Sequence, residues 1–382
     1  MFIILTLIFV SLFVLYVKHK YFTSRRSIPS LPGHFLFGNL LQSGLLRGVS
    51  LPQVYASFKN KLGDIYEIKL GFLHGIIVGN IDDVKYIFTH RHIYDQSDWS
   101  VELLGALIPD GLITLKGAKF KRHASIVMPL FRHGKILSNF DLIINYTDEI
   151  LNNWRSSSSD HIHCDILQQF TGLIRREILG EMLMFLAASF ETTSTVLAWS
   201  IHLLSKHPEV QQKIKAELMK ENVHRDLILD RLDSLIYLDC VIKEILRFSP
   251  TIDATARTLT MDDRLPNSGI QLYKGDQILI PVCILSKDPR YWSIDPELFY
   301  PERFLGEDTN HNPYAFLPFG SGHRQCIGQD LARFELKVII ARLMQHVTFI
   351  DGGPEVNAGG QVQGLTVMPK YIGVKIKFDS EI

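Results

Sequence analysis

The stretch Phe319-Gly320-Ser321-Gly322-His323-Arg324-Gln325-Cys326-Ile327-Gly328 sets one cysteine in a glycine-framed loop, with an arginine two residues before it. An apolar segment, Leu331 to His346, follows and predicts a helix buried nearly all round. Glycine admits positive φ and lets a backbone pass close to a flat object. A cysteine at the entry to a helix feels the positive end of its macrodipole, which favours the thiolate. Two plainer readings compete: a lone cysteine is usually a small buried hydrophobe, and Gly-Ser-Gly is usually a turn. Neither accounts for Phe319, Gly322, Arg324, Cys326 and Gly328 standing in one register.

A thiolate facing backbone N–H groups in an apolar setting suits the axial position of a haem iron. An arginine beside it suits an acidic group such as a haem propionate. The stretch resembles the haem-binding loop of cytochromes P450, F-x-x-G-x-R-x-C-x-G, with His323 where proline is common. The resemblance implies a mainly α fold with minor β. It also implies haem b as cofactor, Cys326 as the iron ligand, Phe319, Gly322 and Gly328 around it, and Arg324 on a propionate.

The chain has 382 residues and 46% apolar content, enough for a substantial core. Its formal net charge is zero, which points away from a nucleic-acid partner. Cys164, Cys240, Cys283 and Cys326 form no CxxC pair, so neither a disulfide framework nor a zinc site is expected. A reducing, cytosol-facing environment fits. Ser156 to Ser159 reads as a short polar linker.

Residues 1–17 are almost wholly apolar, and Lys18, His19, Lys20, Arg25 and Arg26 follow. Charge after the apolar run, with a bulky exit, favours an uncleaved single-pass anchor over a signal peptide. The positive-inside rule then puts the rest of the chain on the cytosolic side, as at the endoplasmic reticulum membrane. Pro29, Pro32 and Gly33 break any helix. Residues 18–40 thus read as a basic, proline-rich hinge resembling that of microsomal P450s, and 41–382 as one haem domain.

Leu51 to Leu62 and Asp82 to Thr89 read as helices, Ile65 to Leu70 and Gly75 to Gly79 as strands. Gly117 to Leu130 is expected to pass beside the haem. The family shows W-x-x-x-R there, but this chain has Phe120 and Ala124. The neighbouring Lys121 and Arg122 leave the helix in other directions and read as a solvated face.

Glu177 to Ser205 reads as one long apolar helix, interrupted by Ala188-Ser189-Phe190-Glu191-Thr192-Thr193. Thr192 is placed to bond back to the Ala188 carbonyl and loosen the helix locally. A buried helix hiding its hydroxyls on its own backbone gives the same pattern. Upstream of the cysteine loop, the segment resembles A-G-x-[DE]-T-[TS] of P450s, with Ser189 in place of glycine. The resemblance makes Thr192 and Glu191 the proton-handling residues.

Glu244 and Arg247 at i, i+3 are by themselves an ordinary surface pair. With Pro301-Glu302-Arg303-Phe304 downstream they resemble the family's E-x-x-R and P-E-R-F triad, a structural lock behind the loop. Arg257 matches a second propionate-binding arginine. Leu259 to Ile280 is strand-like, with turns at Asp262-Asp263 and Pro266-Asn267.

Cys164 and Ala188 lie only 24 positions apart. The family has several helices there that lid the substrate, so the deficit is on the order of a hundred residues. Without a lid, Leu183, Phe185 and Leu186 need another partner or stay exposed. The fold is thus expected to be P450-like but incomplete, shortened near 165–180. The resemblance implies insertion of one oxygen atom from O2 into a lipophilic substrate. It also implies electrons from NADPH through a cytochrome P450 reductase, with cytochrome b5 as a further candidate donor. Two alternatives stand beside this: an inactive or unstable haem-binding chain, and an isomerase or dehydratase acting on a pre-oxidised substrate.

Overall fold

The structure is a computed structural model that describes all residues except 1, 18–27, 35–36, 72, 107, 109–110, 132–139, 157–178, 221–226 and 380–382. The chain divides into two compact units. One comprises Met1–Ser100 and Ala254–Leu285, the other Val101–Asp253 and Ser286–Ile382. The fold is mainly α with minor β, as the sequence leads one to expect. The polar linker beyond Ser156, Cys164 and most of the region expected to be shortened lie outside the described residues.

The first unit begins with α1 (Phe2–Val17), whose described apolar side chains from Ile4 to Tyr16 are exposed apart from half-buried Val14. At about 1.5 Å per residue its 16 residues span roughly 24 Å, short of a roughly 30 Å hydrocarbon core. No helix among the described residues is long and apolar enough to cross a membrane. Helix α2 (Leu51–Leu62) starts at a capping box, Ser50 with Gln53, and has proline in its first turn. Helix α3 (Ile81–Thr89) is capped by Asn80, whose side chain accepts from the N–H groups of Asp82 and Asp83.

The strands of this unit are β1 (Ile65–Leu70), β2 (Leu73–Val78), β3 (Tyr94–Gln96), β4 (Thr255–Leu259), β5 (Asp263–Arg264), β6 (Gln271–Leu272) and β7 (Gln277–Ile280). Five of them form one sheet in the order β1-β2-β7-β4-β3, in which only the β2–β7 pair is parallel. Residues 28–39, within the stretch read as a hinge, lie along β1 at their described positions. Ser30 bridges to Glu67, and the Glu67 N–H donates to the Pro29 carbonyl at 2.9 Å. Buried Asn39 donates to the Leu31 carbonyl at 3.1 Å and accepts from the Lys69 N–H at 3.0 Å.

The second unit is helical. Its elements are α4 (Gly117–Val127), α5 (Phe140–Ser156), α6 (Leu179–Lys206), α7 (Pro208–Lys220), α8 (Ile236–Phe248) and α9 (Gln329–His346). Two antiparallel strand pairs belong to it as well: β8 (Val347–Asp351) with β11 (Val374–Phe378), and between them in the chain β9 (Gly359–Gln363) with β10 (Val367–Tyr371). The core forms where α8 and α9 turn their apolar positions inward. Leu238, Val241 and Ile245 recur at helical spacing on one side, and Leu336, Ile340 and Leu343 on the other. Gln211 joins α7 to β8 by donating to the Leu204 and Phe349 carbonyls and accepting from the Phe349 N–H. Helix α9 is not buried all round: Arg333 is exposed and Phe334 and Glu335 are half-buried, and the continuous core face starts at Leu336.

Candidate functional site

The cysteine loop is closed by its own backbone. The Gln325 N–H donates to the Gly322 carbonyl at 3.1 Å, and the Cys326 N–H to that of Phe319 at 2.9 Å. Gly320 and Gly322 hold φ of 70° and 73°, a region that side-chain-bearing residues avoid. Gly328 has an ordinary φ of −89° and caps α9. Its glycine character matters for space instead. A Cβ at Gly328, or at Gly320, would meet no atom within 4 Å, so the surface there is open.

Cys326 is exposed, yet protein surrounds it at longer range. That burial pushes its thiol up, and the Gly328 N–H directed at the sulfur offsets only part of the rise, so the protein alone favours the thiol rather than the thiolate expected from the helix entry. One exposed sulfur, one N–H on it, and Gly320 and Gly328 facing open space fit a flat macrocycle whose iron Cys326 would hold.

Arg324 is fixed from two sides. Its Nη1 donates to the Leu115 carbonyl at 2.9 Å, and its guanidinium carbon sits 3.5 Å above the centre of the Phe120 ring. Phe319 is half-buried against the core, with Arg333 over its ring at 5.0 Å. Ala124, one turn after Phe120 on α4, is buried with Ile108 and Leu112, where Phe120, Phe131, Phe185 and Ile327 also pack. Lys121 is exposed, as expected of a solvated face.

Helix α6 brings Glu191 and Thr192 into this unit. The Thr192 hydroxyl donates to the Ala188 carbonyl at 2.6 Å, the back-bond expected from the sequence. The helix nonetheless runs as α without interruption from Leu179 to Lys206. Glu191 is tied elsewhere: its Oε1 accepts from both the N–H and the hydroxyl of Thr366, each at 3.1 Å. Thr366 sits between β9 and β10, and its hydroxyl also meets that of Thr195 at 3.1 Å. Of the apolar residues expected to need another partner, Phe185 packs against Phe131 with ring centres 5.2 Å apart. The side chains of Leu183 and Leu186 lie outside the described residues, and Ala188 and Ser189 are exposed.

A buried four-charge network joins α8 to the segment 286–308. Arg247 grips Glu244 through Nε at 2.7 Å and Nη2 at 2.8 Å, and Arg303 adds Nε at 3.1 Å. The Tyr300 N–H makes a fourth bond to Glu244 at 2.8 Å. Asp308 pairs with Arg303 at 3.0 Å, so two cations face two carboxylates with almost no exposure. Remaining guanidinium donors reach the carbonyls of Ser286, Ile294, Asp295, Pro296 and Leu298. A charge network this deep holds only when every donor is satisfied, and here carbonyls complete it.

The structure thus gathers Cys326, Arg324, Phe319, Gly322 and Gly328 in one loop. It places Glu191 and Thr192 on α6 of the same unit. Arg257 belongs to the first unit. There it is buried on β4, donates to the Thr255 hydroxyl and the Ala256 carbonyl, and lies 5.1 Å over the Phe88 ring. Reasoning from sequence missed the Phe120 stack on Arg324, the Thr366 clamp on Glu191, and Glu335. Burial pushes the Glu335 carboxyl up to about 7. An acid amid the apolar α9 stretch was the available signal for the last.

The sequence profile of the family described as Cytochrome P450 matches residues 28–174 and 168–376. Cytochrome P450 4V2 of Rattus norvegicus is 40% identical over 209 residues, 54% of this chain and 39% of its own length. Cytochrome P450 3A13 of Mus musculus is 38% identical over 174 residues, 45% of this chain and 34% of its own. Cytochrome P450 3A5 of Homo sapiens is 35% identical over 181 residues, 45% and 34% of the two chains. The matched regions thus span little more than a third of these curated relatives.

Proposed function

Because the chain belongs to the cytochrome P450 family, we propose that it is a haem-thiolate monooxygenase acting on a lipophilic small molecule. The observation that carries this reading is Cys326: exposed, met by the Gly328 N–H, and set in a loop where Gly320 and Gly328 face open space. When bound, the haem supplies iron-based activation of O2 for insertion of one oxygen atom.

The rest of the chemistry belongs to the chain. Cys326 would hold the iron through its sulfur, and the Gly328 N–H would share the charge on that sulfur. Arg324 would hold a propionate with donors on its planar edge, and Arg257 would hold a second one, an assignment that rests on family resemblance alone. Thr192 and Glu191 move protons at their hydroxyl and carboxylate oxygens. The Thr366 bonds orient the Glu191 carboxylate. Glu244, Arg247 and Arg303 keep the segment 286–308 rigid and take no part in proton or electron transfer.

We further assign α1 to a membrane-anchoring role at the endoplasmic reticulum, on its exposed apolar surface and the basic residues after it. Residues 18–40 then form the hinge and 41–382 the haem domain. NADPH–cytochrome P450 reductase, with cytochrome b5 as a second donor, is the proposed electron source. The lid helices are proposed to be missing near 165–180, where the two profile matches meet.

The test is product formation by purified chain with NADPH and reductase against a panel of lipophilic substrates. Oxygenated product that disappears in Cys326→Ser supports the reading. Haem uptake without NADPH-dependent product supports the inactive haem-binding chain instead. Conversion of a pre-oxidised substrate without NADPH supports an isomerase or dehydratase.

A further inference from the structure

We propose that Phe120 is a positioning residue for Arg324, and that this stack takes over the task of the cation absent from position 124. The inference rests on the haem reading for its function and on this chain's own geometry for its form. Phe120 and Ala124 are one turn apart on α4 and so share a helix face. Where the family carries an aromatic N–H donor and an arginine, this face carries a hydrocarbon ring and a methyl group. Ala124 is buried among Ile108 and Leu112, an environment that would penalise a charge.

The charge has instead been left to the loop. The guanidinium carbon of Arg324 lies 3.5 Å from the Phe120 ring centre, well inside the roughly 6 Å reach of a cation–π contact. Stacking uses the face of the guanidinium and none of its N–H groups, which all lie in its plane. The Leu115 carbonyl takes Nη1 in that plane at 2.9 Å. A ring on the face and a carbonyl at one edge fix both the plane and its rotation. An arginine held this way offers its edge to a carboxylate with little rotamer freedom left to lose. Leu115 and Phe120 both flank the start of α4, so one short segment supplies both constraints. Lysine at 324 would keep the charge but present no planar face to the ring.

The test is a double-mutant cycle with Phe120→Leu, Phe120→Met, Phe120→Tyr and Arg324→Lys. Its readouts are the rate of haem transfer to excess apomyoglobin and the haem midpoint potential. Phe120→Leu and Phe120→Met are expected to speed haem loss by roughly 3- to 30-fold. They also lower the potential, because a cation held at the propionate favours the reduced iron. Phe120→Tyr keeps the ring and stays near wild type. In the Arg324→Lys background, Phe120→Leu has no further effect. Equal effects of Phe120→Leu in both backgrounds, or an unmoved potential, overturn the proposal. If the wild-type chain takes up no haem, the haem reading fails, and urea unfolding of the same set tests the clamp by itself. Coupled effects of Phe120→Leu and Arg324→Lys on unfolding sustain the stack, and additive ones overturn it.

Discussion

Replacing Glu244 with glutamine keeps shape and removes one charge from the network that joins α8 to the segment 286–308. Glu244 accepts two bonds from Arg247, one from Arg303 and one from the Tyr300 N–H. With Asp308 as the second carboxylate, the cluster is neutral in the wild type. Glu244→Gln leaves it with one uncompensated positive charge, and both arginines are fully buried. The new amide nitrogen also points a donor at guanidinium donors. Removing one partner from a buried ion pair costs about 3–5 kcal/mol. Against a typical stability of about 5–15 kcal/mol, that is a large fraction. For a unit of this size it lowers Tm by roughly 10 °C.

Trp292 reports on the network directly, since the Arg247 and Arg303 guanidiniums sit 5.1 and 5.7 Å from its ring. Replacing Trp99, Trp154 and Trp199 with phenylalanine isolates its fluorescence in urea and thermal unfolding. Lys213→Ala serves as the contrast. It breaks a pair with Glu302 in which the lysine is 55% exposed, and it should change stability by under about 1 kcal/mol. A Glu244→Gln protein within about 0.5 kcal/mol of wild type would refute the argument that this cluster is a buried, fully matched charge set.

Glu335 predicts a pH dependence. Its folded carboxyl lies near 7, above the usual value near 4.3, so the folded chain binds more protons between those points. Stability from this group is complete below the unfolded value and is lost as pH rises through 7. Allowing for partial exposure, Glu335→Gln should stabilise the chain at pH 8 by on the order of 2 kcal/mol and flatten the curve of Tm against pH. Asn39→Ala removes both bonds that join Leu31 to Lys69 and should cost about 2 kcal/mol, read by thermal melting. Thr192→Val leaves α6 folded, with stability within about 0.5 kcal/mol by urea melt, because the lost bond is to its own helix. Under the proposed function it raises NADPH consumed per product formed, and unchanged coupling contradicts the proton role.

Much of this was readable before any coordinates. Helix α2 and strand β1 fall on the expected bounds, because capping residues, glycines and apolar periodicity are local signals. Glu244 and Arg247 were legible as a pair for the same reason. Asp308 was not, since its bond to Arg303 depends on how residues 286–308 fold around the arginines. The partners that matter most to the site are remote in sequence. Thr366 lies 175 positions from Glu191, and Leu115 lies 209 from Arg324. Nothing in either local pattern encodes such pairings. Residues 28–39 show the converse. Their prolines announce an extended chain, and only β1 beside them reveals that Asn39 fastens it to the sheet.

The central claim is that Cys326 carries haem through its thiolate. The direct test is the reduced, CO-bound difference spectrum of the purified chain beside Cys326→Ser. A strongly red-shifted Soret band in the wild type, abolished by the substitution, is the predicted result. The same shift in Cys326→Ser, or no haem uptake by the wild-type chain, would contradict it.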